Sequence, residues 1–364
     1  MNAQLLHQAE AKLNEIIAGY RLTRYFGTEE FSTTCGLALV AGSGHHLYIY
    51  DYGRWAQPRS VLPFQEGRTP DLIYSLGAVK TNEGPRIAVG TRLGKVSLVD
   101  PVGYVIWQIK AADASVWHVT TCEIDGQLLL FVCSMDMTVK IYDLRGQLRC
   151  ILRTPGRLLS IDVREIGGRI LIAGGAQERN FIYLWDLQEA LIKQRTTPTY
   201  ILKGGRRPAF CTKLVELALK PCVLHGSWDG YCYLYRIEAL QRRVLNAPEV
   251  VLHADGAVYP VVATELHDTP FVVAGTAQGS VQAWELEPSE LKPRSEHVLA
   301  CVSSRIRSLC AAKVLGQTKL FVGDSVKRIY ELTVDRLEEN MRPEEELHTE
   351  GGEIAGIALI SDPR

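Results

Sequence analysis

From residue 37 onward the chain alternates short apolar runs with polar turns, and the alternation itself repeats. One unit recurs: an apolar run ending in Gly or another small residue, a short polar turn, then an alternating run that closes on a charged residue. Its instances are LALVAGSGHHLYIYD, RIAVGTRLGKVSLVD, LLLFVCSMDMTVKIYD, ILIAGGAQERNFIYLWD, PCVLHGSWDGYCYLYR, FVVAGTAQGSVQAWE and KLFVGDSVKRIYE. They end at Asp51, Asp100, Asp143, Asp186, Arg236, Glu285 and Glu331, with gaps of 49, 43, 43, 50, 49 and 46 residues. A period of about 47 matches a four-stranded propeller blade. Within each unit, β-branched and aromatic residues alternate across a turn, which predicts a β-hairpin.

A second apolar run precedes each hairpin after the first: IYSLGAVK, VWHVTTCE, RLLSIDVRE, AFCTKLVE, VYPVVATE and IRSLCAAK. The register between the two is constant. Lys80 to Gly90, Glu123 to Cys133, Glu165 to Gly175, Glu216 to Gly226, Glu265 to Gly275 and Lys313 to Gly323 are each ten residues apart. A strand–turn–strand unit of fixed geometry produces such a spacing. Weaker fourth runs follow most hairpins, as in VIWQIKA, LRCILR, TYILKG, EVVLHA and EHVLACV, and read as outer strands. Four strands per unit, repeated radially, predict an all-β propeller whose sheet edges are protected by closure.

The first hairpin, 37–51, has no good inner strand before it, since RYFGTEEFS lacks the pattern. The unmatched run EIAGIALIS, 353–361, supplies one. The expectation is a seven-bladed β-propeller over 21–364, closed by the C-terminal strand, behind an N-terminal amphipathic helix in 1–20. Leu5, Leu6, Ala9, Leu13, Ile16 and Ile17 share one helical stripe there. That stripe must be covered, by the propeller or by a partner touching Leu5, Leu6, Leu13, Ile16 and Ile17.

The hairpins resemble the WD-repeat β-propeller family over roughly residues 35–361. The likeness rests on VKIYD, IYLWD, VQAWE and GSWDGYCYLYR, with Trp185–Asp186 the only hairpin-ending Trp-Asp pair. GSWDG around Asp229 resembles the family's Asp-containing turn. The repeats are divergent: the Gly-His dipeptide usual before the inner strand is missing, so the family's His–Asp network does not carry over. Quinoprotein-like and integrin-like propellers are the neighbouring alternatives, and no D-x-[DN]-x-[DN]-G calcium loop favours the latter.

The fixed register also selects candidate contact residues. Inner strands start at one face, the top. Six residues before each marker lie Tyr74, Trp117, Leu159, Phe210, Tyr259 and Arg307, with Ala355 as the closing blade's counterpart. Four of these seven are aromatic in a chain only 8% aromatic. The turns after the second strands open on the same face and contribute Arg92, Met135, Gln177, Trp228, Gln278 and Lys327, with His45 and His46. Arg157, Arg206, Arg207 and Arg305 lie just before inner strands. Aromatics with Arg on one face have the composition of protein-binding hot spots. The partner-binding set is therefore Tyr74, Trp117, Phe210, Tyr259, Arg307, Trp228, Arg92, Arg305 and Arg157. The alternative role for the aromatics is to fill the taper of the central channel.

Composition narrows the classes. The 364 residues carry 40 basic and 41 acidic side chains, a net charge of -1, and are 46% hydrophobic, an ordinary globular balance. It excludes a nucleic-acid binder that relies on bulk positive charge, although the top-face arginines keep nucleic acid as a less favoured partner. The charge is expected to divide into a basic top face and the acidic run 335–350, read as a solvated linker. The inserts LQEALIKQ, IEALQRRV and PSELKPR should decorate the bottom. Nine cysteines without C-x-x-C spacing read as buried thiols in a reducing compartment. No run of about 18 apolar residues predicts a membrane helix, and the start lacks a secretory pattern, so a cytoplasmic protein is expected.

No cofactor or metal motif is present. G-x-S-x-G, H-E-x-x-H and phosphate loops are missing. His45–His46 should point to opposite faces as strand neighbours, and the glycines of GSGHH and AGGAQ read as turn residues. A non-enzymatic interaction scaffold or recognition subunit is the expected function. An enzyme whose residues converge at the channel mouth remains the further alternative.

Overall fold

The computed structural model describes residues 29–31, 37–81, 84–124, 127–177, 181–192, 197–241, 244–334, 341 and 345–361. The expected N-terminal helix, with Leu5, Leu6, Leu13, Ile16 and Ile17, lies outside them.

Seven antiparallel sheets form the blades of a β-propeller. Blade 2 runs from the inner strand Ile73–Thr81 through Gly84–Thr91 and Lys95–Val99 to the outer strand Val105–Lys110. Blades 3 to 7 repeat this order, with inner strands Val116–Ile124, Leu158–Ile166, Ala209–Leu217, Val258–Leu266 and Ile306–Val314. Blade 1 contains Leu37–Ser43, His46–Asp51 and Ser60–Pro63, and Ile354–Ser361 pairs on its inner side, Leu37 opposite Ser361 and Ser43 opposite Ile354.

Each second strand is covered on both sides, which is why it reads as a continuous apolar run. All seven residues of Leu37–Ser43 are buried. The described hydrophobic core falls into seven clusters, one between each pair of neighbouring blades; that between blades 7 and 1 includes Leu39, Phe321, Ile354 and Leu359.

The marker glycines are not turn residues. They sit on the second strands where the next blade closes in. A Cβ on Gly275 would lie 2.4 Å from Ile306, on Gly323 2.5 Å from Ile354, and on Gly90 2.6 Å from Val116. Gly42 and Gly175 meet Ile73 and Ala209 in the same way, so GSGHH and AGGAQ belong partly to the blade packing. Side chains also bridge neighbouring inner strands. Ser75 Oγ accepts from Val119 N–H at 2.9 Å, His118 Nδ1 from Ile161 N–H at 3.0 Å, and Ser308 Oγ donates to the Ile354 carbonyl at 3.0 Å.

Three features depart from the sequence reading. Glu29–Phe31, within the segment set aside as patternless, is a strand parallel to Ala312–Val314 on the channel side of blade 7. Leu245–Asn246, in the blade 5 insert, crosses to blade 4 as a fifth, parallel strand beside Ile201–Leu202. Asn246 fastens it, its Nδ2 donating to the Ile201, Gln241 and Val244 carbonyls. The acidic run is not all linker: Glu345–His348 is the outer strand of blade 7, with Glu346 3.8 Å from Arg328.

Of the other inserts, Leu187–Ile192 is a helix capped by Asp186, whose Oδ1 accepts from Glu189 N–H at 3.1 Å, and Ile237–Ala239 is a single 3-10 turn. In the Trp-Asp pair, then, Trp185 fills the blade 3–4 core while Asp186 starts this helix.

Candidate interaction face

The residues singled out by register share one backbone feature. The ladder between first and second strands slips at one place in every blade: Ile73/Ser75, Val116/His118, Leu158/Ser160, Ala209/Cys211, Val258/Val261, Ile306/Ser308 and, in blade 1, opposite Gly42/Ser43. The residues bypassed are Tyr74, Trp117, Leu159, Phe210, Tyr259, Arg307 and Ala355. A bulged residue is freed from the ladder and its side chain is re-aimed. In blade 6 Pro260, which has no N–H to give, widens the bulge.

A second repeated bond sets the turns beside these bulges. Arg92, Met135, Gln177, Trp228, Ala277, Ser325 and Gly44 each donate a backbone N–H to the carbonyl two residues ahead of the bulge, at 2.8–3.3 Å. The turn positions expected as Gln278 and Lys327 are therefore Ala277 and Ser325, with Gln278 and Lys327 further along their turns.

The structure gathers the predicted residues into two groups. Tyr74 and Trp117 pack with ring centroids 5.1 Å apart. Across blades 5 to 7, Phe210 lies 5.0 Å from Trp228 and 5.1 Å from Tyr259, and Trp228 meets Tyr259 edge-on at 6.0 Å. The guanidinium carbons of Arg305 and Arg307 stand 5.3 and 4.9 Å from the centre of the Tyr259 ring, within cation–π range. Tyr259 is buried beneath them, Phe210 and Arg307 are half-buried, and Trp228 is 41% exposed. Leu159, buried in blade 4, and the small Ala355 separate the two groups around the ring.

Trp228 owes its position to its turn. Asp229 Oδ2 accepts the Arg206 backbone N–H at 2.6 Å and the Tyr233 hydroxyl at 3.0 Å. Tyr233 stacks on His225 at 5.8 Å. Burial raises the Tyr233 pKa, and the nearby Asp229 charge adds to that. Burial lowers the His225 pKa to about 4, so this imidazole is neutral under the rings. Its Nδ1 lies 3.2 Å from the Cys211 carbonyl, which can only accept, so Nδ1 carries the hydrogen. Elsewhere acid–hydroxyl pairs hold the top turns: Asp71 accepts from Thr91 at 2.7 Å, and Asp255 from Ser280 at 2.7 Å.

The face is not uniformly basic. Arg92, Arg157, Arg206, Arg207, Arg305 and Lys327 are exposed, but so are Asp113, Asp255 and Glu353 on the same rim. Glu353 pairs with Arg307 at 3.0 Å. His45 and His46 do not point apart. His45 sits in the turn, not the strand, and the two rings lie 3.9 Å apart.

Among the described residues no three His, Cys, Asp or Glu side chains are grouped as metal ligands would be. No helix there is long and apolar enough to cross a membrane. The support for Trp228 through Asp229 and Tyr233, and the Arg307–Glu353 pair, escaped the sequence reading. The Asp and Tyr of GSWDGYCY, spaced four apart, were the available signal. No protein-family profile matches the chain, and no curated protein matches it.

Proposed function

We propose that this propeller is a non-enzymatic scaffold or recognition subunit that captures a protein partner on its top face. The observation that carries the reading is the convergence of Phe210, Trp228, Tyr259, Arg305 and Arg307 into one group with Trp228 exposed. Exposed aromatic surface beside guanidinium groups suits a peptide, loop or domain carrying an apolar anchor and a carboxylate. Tyr74 and Trp117, with Arg92 on the neighbouring turn, form a smaller second contact. Because the bulged side chains lie outside the ladder, they can engage a partner without disturbing strand pairing.

The test is capture of partners from cell extract by the wild type and by Trp117→Ala and Trp228→Ala. Each variant should keep the fold and lose about 2 kcal/mol or more of affinity, roughly thirtyfold. Undiminished capture by both variants refutes the reading. Nucleic acid is the second reading, through Arg157, Arg206, Arg207, Arg305 and Arg307, of which Arg307 is paired with Glu353. Asp113, Asp255 and Glu353 on the same rim weigh against it. Steep loss of binding with salt would identify it.

In this reading the chain is a divergent WD-repeat-like propeller, locked by the pairing of Ile354–Ser361 with Leu37–Ser43. It works in a reducing, cytosolic compartment, a reading that rests on nine cysteines without C-x-x-C spacing.

A further inference from the structure

Blade 2 leaves bare a kind of edge that other blades protect. An unpaired strand edge is a template for a further strand, and proteins blunt it with charge, proline or a cover. The outer strand of blade 4 is covered by Leu245–Asn246. That of blade 1 ends in Pro63, and those of blades 6 and 7 carry Arg294, Glu296, Glu345 and Glu346. In blade 2, Val105–Lys110 reads VIWQIK, and among the described residues nothing pairs with its outer side. Tyr104, Val105 and Ile106 are three consecutive exposed apolar residues, at 72%, 47% and 47%. Such a run on a surface serves no packing and marks a contact. The neighbouring blades extend it. Trp107 Nε1 donates to the Leu144 carbonyl at 2.7 Å, tying the strand to blade 3, where Leu148 and Ile151 are exposed. On the other side Gly103 lies against Ser60 and Leu62 of blade 1, beside the exposed Val61.

We propose that the outer edge of blade 2 takes an extended segment of a partner protein as a fifth strand, one whose residues alternate between apolar and acidic. The alternation follows from the edge itself. Trp107 and Ile109 turn to the core between blades 2 and 3, while Gln108 and Lys110 lie on the opposite face, bonded to Ser97 and to the Leu93 carbonyl. An added strand therefore meets apolar surface on one side and an amide and a cation on the other. Charge selects the acid. Val105–Lys110 and Leu148–Arg153 carry Lys110, Arg149 and Arg153 without an Asp or Glu of their own, and Asp143 in the preceding turn takes Arg149. Charge also sets a second copy of this chain aside, because pairing two such edges adds cations with no acid to answer them. Leu245–Asn246 on blade 4 shows that this fold accepts a fifth strand from outside the blade. Ladder bonds supply the affinity, and the alternate side chains supply the selectivity. This wall stands apart from the top face, so one propeller can hold a partner at each.

The probe is a fluorescein-labelled peptide of four Val-Glu repeats, read by fluorescence polarisation against the full chain, with Val-Lys and Ser-Glu repeats as controls. The Val-Glu peptide should bind, and hydrogen exchange at the amides of 105–110 should slow when it does. Ile106→Asp and Lys110→Glu should each weaken it by about fivefold or more at an unchanged urea midpoint. Lys110→Glu should in turn favour the Val-Lys peptide. Trp228→Ala should leave these results unchanged, which separates this edge from the top face. Failure of the Val-Glu peptide to bind, equal binding of all three peptides, full binding by both edge variants, or binding without protection at 105–110 overturns the proposal. So does a wild-type dimer that Ile106→Asp converts to monomer. Cosedimentation with phosphatidylserine vesicles in place of peptide binding assigns the wall to a membrane surface and overturns it as well.

Discussion

Removing residues 351–364 tests whether Ile354–Ser361 holds the ring shut. The strand makes seven register pairs with Leu37–Ser43 and buries Ile354 fully, with Leu359 and Ile360 at 3% and 4% exposure. Ile354 packs among Leu39, Tyr48 and Phe321 between blades 7 and 1, and its carbonyl receives the Ser308 hydroxyl. Losing one such aliphatic side chain costs about 2–5 kcal/mol. Losing three, with their ladder, matches the whole ~5–15 kcal/mol that keeps a typical protein folded. The truncated chain should be insoluble or lack a cooperative urea transition. Ile354→Ala alone should lower the unfolding free energy by about 2–5 kcal/mol. A soluble truncated protein with an unchanged urea midpoint would refute the reasoning, and so would Ile354→Ala at wild-type stability.

Three further outcomes follow from local geometry. Burial holds the His225 pKa near 4, and burial with the neighbouring Lys213 cation does the same for His118. Between pH 6.5 and 4 the unfolded chain takes up protons that these native imidazoles refuse. Stability should fall through that window by up to about 3 kcal/mol per histidine, and His225→Leu should flatten the urea-derived pH slope by its share. Leu219 is 86% exposed at φ +62° in a hairpin tip, so Leu219→Gly should stabilise by about 0.5–1 kcal/mol in urea titration. Gly279 has φ +89°, and a Cβ there would lie 2.1 Å from the Val302 carbonyl oxygen. Gly279→Ala should therefore lower the melting temperature, at a cost of about 1–3 kcal/mol.

Blade order was legible because second strands buried on both sides give apolar runs that no other context requires. The ten-residue spacing was legible because it joins the bottom of one strand to the point on the next where the following blade packs, as from Lys313 to Gly323, which meets Ile354. Register alone led to Tyr74, Trp117, Phe210, Tyr259 and Arg307, but it did not reveal that a bulge unites them. A bulge leaves no composition of its own. Nor could spacing tell that Tyr259 is buried while Trp228 is exposed, since this depends on Arg305 and Arg307 from the neighbouring blade. Glu29–Phe31 and Leu245–Asn246 were invisible for a simpler reason. Strands of three and two residues, supported by long-range partners, carry no periodicity.

The channel strand also dictates a timetable. Glu29 leaves the ribosome 283 residues ahead of its partner Ala312. At about 5–20 residues per second, the first strand waits some 15–60 seconds for the edge it joins. Throughout that interval Leu37–Ser43 lacks its inner neighbour as well, since Ile354–Ser361 is made later still. The nascent chain therefore carries an unpaired apolar edge for the whole of that interval. Chaperone demand should track the speed of translation more closely than the stability of the finished ring.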